Sequence, residues 1–257
     1  MPARWWPRLL MALFALALLY PLAGLMAPVG GWRWDGEVPG STAAAVRVSL
    51  LLTALALLID IALGTPVACY LARCRGAELV VWEGVVLLPV LMPPLAMGLL
   101  LATAYGPRTT IGALLMRLGV PTANSPIAFV ATQVYVSIGY YIVTARAALA
   151  AVPRDLQDIA GLLGAKPGET FRRVTLPMAR LGLAAAISIA WLRALGEFGA
   201  VIVTAYYPAG MPVQLWINLQ NAGLPAVMPL LVIFLVTALP LPWLIHTLAQ
   251  DGLAREH

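Results

Sequence analysis

The sequence predicts an all-α, polytopic membrane protein with six transmembrane helices and both termini in the cytoplasm. Composition, the spacing of charge-free runs and the placement of basic residues carry this reading. Of 257 residues, 61% are hydrophobic and 11% charged, with a mean hydropathy of +0.89. A soluble domain has roughly 45–50% apolar and about 25% charged residues. Sixteen Lys and Arg with eleven Asp and Glu are too few to clothe a water-soluble core, so the apolar exterior must face a lipid bilayer.

A helix needs about 20 mostly apolar residues to cross the hydrocarbon, and the charge-free runs supply them. Leu9 to Trp32 has no Asp, Glu, Lys or Arg, and Val48 to Ala72 is interrupted only by Asp60. Residues 79–105 and 126–150 make the third and fourth spans. The apolar stretch from Leu181 holds Arg193 and Glu197 and is too long for one crossing. Tyr206, Tyr207, Pro208, Gly210 and Pro212 break it, predicting a fifth span over 181–205 and a sixth over 226–249. The chain is read as one transmembrane domain, 1–257, with a cytoplasmic loop over 152–180.

Leu9 to Pro21 after Arg4 and Arg8 also has the layout of a secretory signal. The apolar run continues past signal length, and its removal would leave an odd number of helices with reversed charges. An uncleaved first span is therefore expected. An inside N-terminus puts Arg4, Arg8, Arg73, Arg75, Arg146, Arg154, Lys166, Arg172, Arg173, Arg180 and Arg255 on the cytoplasmic side. Only Arg33, Arg47, Arg108 and Arg117 fall outside, as the positive-inside rule requires. Residue 168 should then be cytoplasmic and residue 106 external.

Several function classes are disfavoured. The net charge of +5 is scattered between apolar runs and forms no single basic face for nucleic acid. Cys69 and Cys74, with His246 and His257 distant, have no zinc-site spacing. Lys166, the only lysine, lies between Ala165 and Pro167, so no phosphate-binding G-x-x-x-x-G-K-[ST] loop exists. No His, Cys or carboxylate cluster has catalytic spacing, which argues against an enzyme.

The segment from Val152 to Arg180 is the most polar in the chain. Pro153 suits a helix start, Asp155 and Asp158 complement a helix N-terminus, and Leu156, Ile159, Ala160 and Leu163 recur on one face. Gly164 is expected to end this short helix. A turn over 165–168 leads to a second helix at Glu169, and Pro177 is expected to uncouple that loop helix from the following span. The polar face carries Asp155, Gln157 and Asp158, so a protein partner suits it better than anionic headgroups.

Asp158-Ile159-Ala160, Gly164 and Val174-Thr175-Leu176-Pro177 resemble the EAA loop of ABC-importer permeases: E-A-A, three residues, G, nine residues, I-x-L-P. Asp replaces Glu at 158, Ile replaces Ala at 159 and Val replaces Ile at 174. Gly64-Thr65-Pro66-Val67-Ala68-Cys69-Tyr70-Leu71-Ala72-Arg73 resembles the close of the second span in permeases for molybdate, tungstate and sulfate. Leu88 to Pro94 followed by Gly98, and Arg193-Ala194-Leu195-Gly196-Glu197-Phe198-Gly199-Ala200, resemble two further motifs of that group. The resemblance runs from about Ser49 to the sixth span.

It implies a type I importer permease fold and import of a tetrahedral oxyanion, molybdate or tungstate before sulfate. It further implies a homodimer, a cytoplasmic ATPase dimer and an extracytoplasmic oxyanion-binding protein. ATP and Mg²⁺ would belong to the ATPase, with no cofactor in this chain. Asp158, Ile159, Ala160, Leu163, Gly164, Val174, Leu176 and Pro177 would form the surface that meets the ATPase.

Three charges fall inside predicted spans. Arg193 and Glu197, four apart, share a helix face and should turn inward, as a structural ion pair or as part of a pathway or gate. Asp60 has no partner in its own helix. Pairing with Arg193, a protonated state and exposure to water all remain open for it. A competing reading makes these three residues the proton relay of a self-contained secondary transporter or channel, but it leaves the loop spacing unexplained.

Overall fold

The structure is a computed structural model that describes residues 5–25, 31–34, 38–245 and 247. His246, His257, Arg4, Arg255, residues 26–30 of the expected first span and residues 248–249 of the expected sixth lie outside these residues. The described residues are helical, with no strand among them. Helix α1 (Trp5–Ala23) is apolar apart from Arg8 and is exposed from Trp6 to Ala23, a surface suited to lipid. Helix α2 (Val38–Leu71) has 34 residues and begins ten residues before the expected second span.

The expected third span, 79–105, is not one straight helix. It forms α3 (Gly76–Leu91) and α4 (Pro94–Tyr105), bent by 105°. The cause is the Pro93-Pro94 pair. Pro93 drives Met92 out of the helical region, to φ −81° and ψ 137°, and Pro94 opens the new helix at its first turn. The following loop holds α5 (Thr110–Arg117), capped by the Thr109 hydroxyl, which accepts from the Gly112 N–H at 3.0 Å. Helix α6 (Pro126–Ala150) starts on a similar cap, the Ala128 N–H donating to Ser125 Oγ at 3.0 Å.

Two short helices, α7 (Arg154–Leu162) and α8 (Pro167–Thr170), form the polar loop. A π-helical segment, Phe171–Thr175, joins α8 to α9 (Leu176–Leu195). Pro177 therefore does not separate the loop helix from the span, contrary to the sequence expectation. The Leu176 N–H reaches back to the Phe171 carbonyl, and this wider turn admits the proline within an uninterrupted helix, Pro167–Leu195. The fifth span also ends early, at Leu195 and not at 205, and resumes as α10 (Val201–Thr204). Helix α11 (Met211–Ala222), not expected from the sequence, precedes α12 (Leu224–Ala238), from which the span continues to Ile245.

Helices α2, α6 and α9 pack into the central core. Ala56, Ala68, Ala145, Ala186, Ala190 and Ala194 are all fully buried, small side chains that let helix backbones approach within lipid. Tyr141, Leu71, Leu195 and Trp191 fill the larger spaces between them. The two breaks in the spans pack on each other. A Cβ on Gly98 of α4 would lie 2.8 Å from Ala200 Cα, and one on Gly199 would lie 2.7 Å from Pro94 Cβ. Only glycine permits that contact.

Among the described residues, five helices are long and apolar enough to cross a membrane, and the bent α3–α4 pair makes a sixth if it is one span. Gly106 is buried, and a side chain there would meet the Ala102 carbonyl, so it suits no accessibility label. Arg108, two residues on, is exposed. In a cysteine-free background within sealed cells, Arg108→Cys should react with an impermeant maleimide from outside and Gly168→Cys only after permeabilisation. Labelling of position 168 in intact cells would refute the orientation.

Candidate functional sites

The loop and the core hold separate groups of functional side chains. In the loop, Asp158, Ile159 and Ala160 lie in α7, and Leu163 and Gly164 close it. The Ala165 N–H donates to the Ala160 carbonyl and the Gly164 N–H to the Gly161 carbonyl, both at 3.0 Å, with Gly164 at φ +88°. This is a Schellman stop, and a residue with a Cβ would be strained at that φ.

The exposures of its side chains show which way the apolar stripe faces. Leu162 and Leu163 are 88% and 83% exposed and Ile159 is 51% exposed, whereas Ala160 is half-buried. Leu156 extends the exposed set. Ala160 thus turns toward the body of the protein and the leucines turn away from it. Asp158 lines a cavity of about 430 Å³ between α7 and the ends of α2 and α6. Val174 lies in the π-helical segment and Leu176 and Pro177 in the first turn of α9. Those three belong to the stem that carries α7's loop into the membrane, on a different element from the exposed stripe.

Within the core, Arg193 and Glu197 form the ion pair, although they do not share a helix. Arg193 is in the last turn of α9, and Glu197 lies beyond the Gly196 cap. Glu197 is 2% exposed, and its second carboxylate oxygen accepts from the Ala200 N–H at 2.6 Å. One carboxylate therefore neutralises Arg193 and satisfies a backbone donor where the span restarts as α10. The Arg193 guanidinium also lies over the Tyr140 ring, 5.7 Å from its centroid.

Asp60 is fully buried and does not pair with Arg193, which corrects that alternative and the water-exposed one. Its partner is Ser137 of α6, whose hydroxyl is 2.5 Å from Asp60 Oδ2 and 2.7 Å from the Gln133 carbonyl. Gln133 is a further core residue that the sequence expectations do not include. Its amide donates to Thr53 Oγ1 of α2 at 2.9 Å and to the Ala194 carbonyl of α9 at 2.8 Å. A signal was present: Gln133 and Ser137 are four apart on one face of an apolar span, where polar side chains turn inward. Arg146, a topology charge in the sequence, bonds Glu83 of α3 at 2.7 Å. Among the described residues, no group of three His, Cys, Asp or Glu is placed to hold a metal.

Residues 39–251 match the family model described as "Binding-protein-dependent transport system inner membrane component". A probable molybdenum ABC transporter permease of Haloferax volcanii is 34% identical over 96% of this chain and 91% of its own length. A molybdate/tungstate transport system permease of Pyrococcus abyssi is 31% identical over 78% and 77%. A sulfate transport system permease of Salmonella typhimurium is 27% identical over 91% and 87%. The fold is similar to that of a chain from a bacterial ABC transporter that imports alginate, with a TM-score of 0.73, 18% identity and coverage of 96% of this chain and 94% of that one. These matches displace the self-contained carrier. The chain belongs to the inner-membrane permeases of binding-protein-dependent ABC importers, as a multi-pass transport component and not as a catalytic subunit.

Proposed function

We propose that this chain forms, with a second copy of itself, the translocation pathway of an importer for a tetrahedral oxyanion, molybdate or tungstate ahead of sulfate. An extracytoplasmic binding protein delivers the anion, and a cytoplasmic ATPase dimer, which carries the ATP and Mg²⁺, drives the cycle. The observation that carries this reading is the outward apolar stripe on α7. Leu162 and Leu163, held out by the Gly164 stop, expose apolar surface beside charged Asp155 and Asp158. Covering such a leucine is worth about 1.5–3 kcal/mol, and a groove on the ATPase that receives a short amphipathic helix supplies the cover. The substrate assignment is supported by the relatives named for molybdenum, for molybdate and tungstate and for sulfate. Uptake of each anion into vesicles containing the complete complex and its binding protein tests it. Sulfate uptake in preference to both metal oxyanions would reverse the order.

Arg193 and Glu197 are proposed to act at the pathway, because their pair sits where the fifth span is broken and the Arg193 side chain is partly exposed.

Leu163→Arg places an unpaired charge in the docking surface, and Gly164→Asp strains the φ +88° stop. Each should leave the protein inserted while ATPase association weakens by a few kcal/mol. Undiminished co-purification of the ATPase with both variants would remove the α7 docking assignment.

Glu197→Ala strands Arg193 and should cost about 3–5 kcal/mol in stability, with the Arg193→Ala/Glu197→Ala double variant less affected. If charge at the break is required for passage, the double variant should bind ATPase normally yet fail to take up oxyanion. Wild-type uptake by the double variant would exclude the pathway role.

A further inference from the structure

Two adjoining hollows lie where the coupling loop meets the bundle, and apart from Asp158 the proposed transport function uses none of their lining residues. The first, about 430 Å³, has Arg73, Arg154, Gln157, Asp158 and Thr170 among its lining residues. The second, about 480 Å³, runs along the last turns of α2 past Thr65, Pro66 and Tyr70. Cys69, Arg73 and Phe171 line both, so the two form one groove with Arg73 at the junction. One half is cationic and hydroxyl-bearing, and the other is mainly apolar.

Neither Arg73 nor Arg154 has an ion-pair partner among the described residues. The charged residues lining the groove are these two arginines and Asp158, a net charge of one positive. Glu78, outside the lining, is engaged by the Tyr70 hydroxyl. An arginine pair matches the oxygens of a tetrahedral phosphoryl group. A single net positive charge is balanced by a phosphodiester monoanion and overbalanced by a free oxyanion dianion. The apolar half, with Pro66, Tyr70 and Phe171, offers a path for the start of an acyl chain. On the expected topology, this end of the bundle lies at the cytoplasmic leaflet, where anionic headgroups attract basic side chains.

We propose that this groove is a binding site for an anionic phospholipid, with the headgroup phosphate between Arg73 and Arg154 and an acyl chain along the end of α2. The bound lipid bridges α2 to the start of α7 and so ties the coupling loop to the bundle. That consequence rests on the proposed transport function, but the binding itself does not, since it is measured on the chain without an ATPase.

Native mass spectrometry of the full chain in detergent, with phosphatidylglycerol or phosphatidylcholine added, reads the site. Phosphatidylglycerol should be retained over phosphatidylcholine. Arg73→Gln and Arg154→Gln should each lower its apparent affinity about tenfold, and Arg108→Gln, exposed in the loop after α4, should leave it unchanged. Equal retention by wild type and both glutamine variants overturns the proposal. Saturable binding of inorganic phosphate or molybdate in equilibrium dialysis, lost in the same variants and not displaced by phosphatidylglycerol, also overturns it by assigning the arginines to a free oxyanion. If Arg73→Gln does not insert, Arg154→Gln decides alone.

Discussion

The Gln133 side-chain amide holds the central helices in their relation to one another. Its two N–H groups reach Thr53 of α2 and the Ala194 carbonyl of α9, so a single side chain on α6 joins all three core spans. In hydrocarbon, apolar surface gives little drive for helices to associate, and fixed polar bonds together with close packing of small residues take over. The Ala194 carbonyl lies in the last turn of α9, where a helix has acceptors to spare. Gln133 therefore joins helices and also helps to settle where α9 ends. Ser137, one turn along, extends the seam to Asp60.

The course of the chain beyond α9 depends on that ending. It leaves through Gly196 and turns Glu197 inward, where the carboxylate meets both Arg193 and the Ala200 N–H. At Gly98 and Gly199 this break presses against the bend between α3 and α4. Two interruptions far apart in sequence are thus one packed junction. A side chain at either glycine would push them apart, so their positions are mutually constrained.

Much of this architecture was legible in the sequence. Charge-free runs locate apolar spans because lipid excludes unpaired charge, and Gly164 could be read as a helix stop because few other residues tolerate φ +88°. The α3–α4 bend was written in Pro93-Pro94, but a hydropathy run is blind to direction, and the pair was read only as part of a motif. The pairing of Asp60 was not legible, since Ser137 is 77 positions away and only tertiary packing brings them together. The spacing of Arg193 and Glu197 gave the correct pair for an incomplete reason. Four residues apart suggests one helix face, whereas the contact forms across a helix end.

The π-helical segment at Phe171–Thr175 has a mechanical consequence. Because it lets the helix run on through Pro177, the stretch Pro167–Leu195 is one rod of 29 residues, roughly 43 Å at ordinary helical rise. One end adjoins the exposed leucines of α7, and the other carries Arg193. A hinge at Pro177 would have absorbed any tilt imposed at the loop. An unbroken rod instead delivers that tilt to its far end, where the next residues have already left the helix, so displacement accumulates at the Arg193–Glu197 contact.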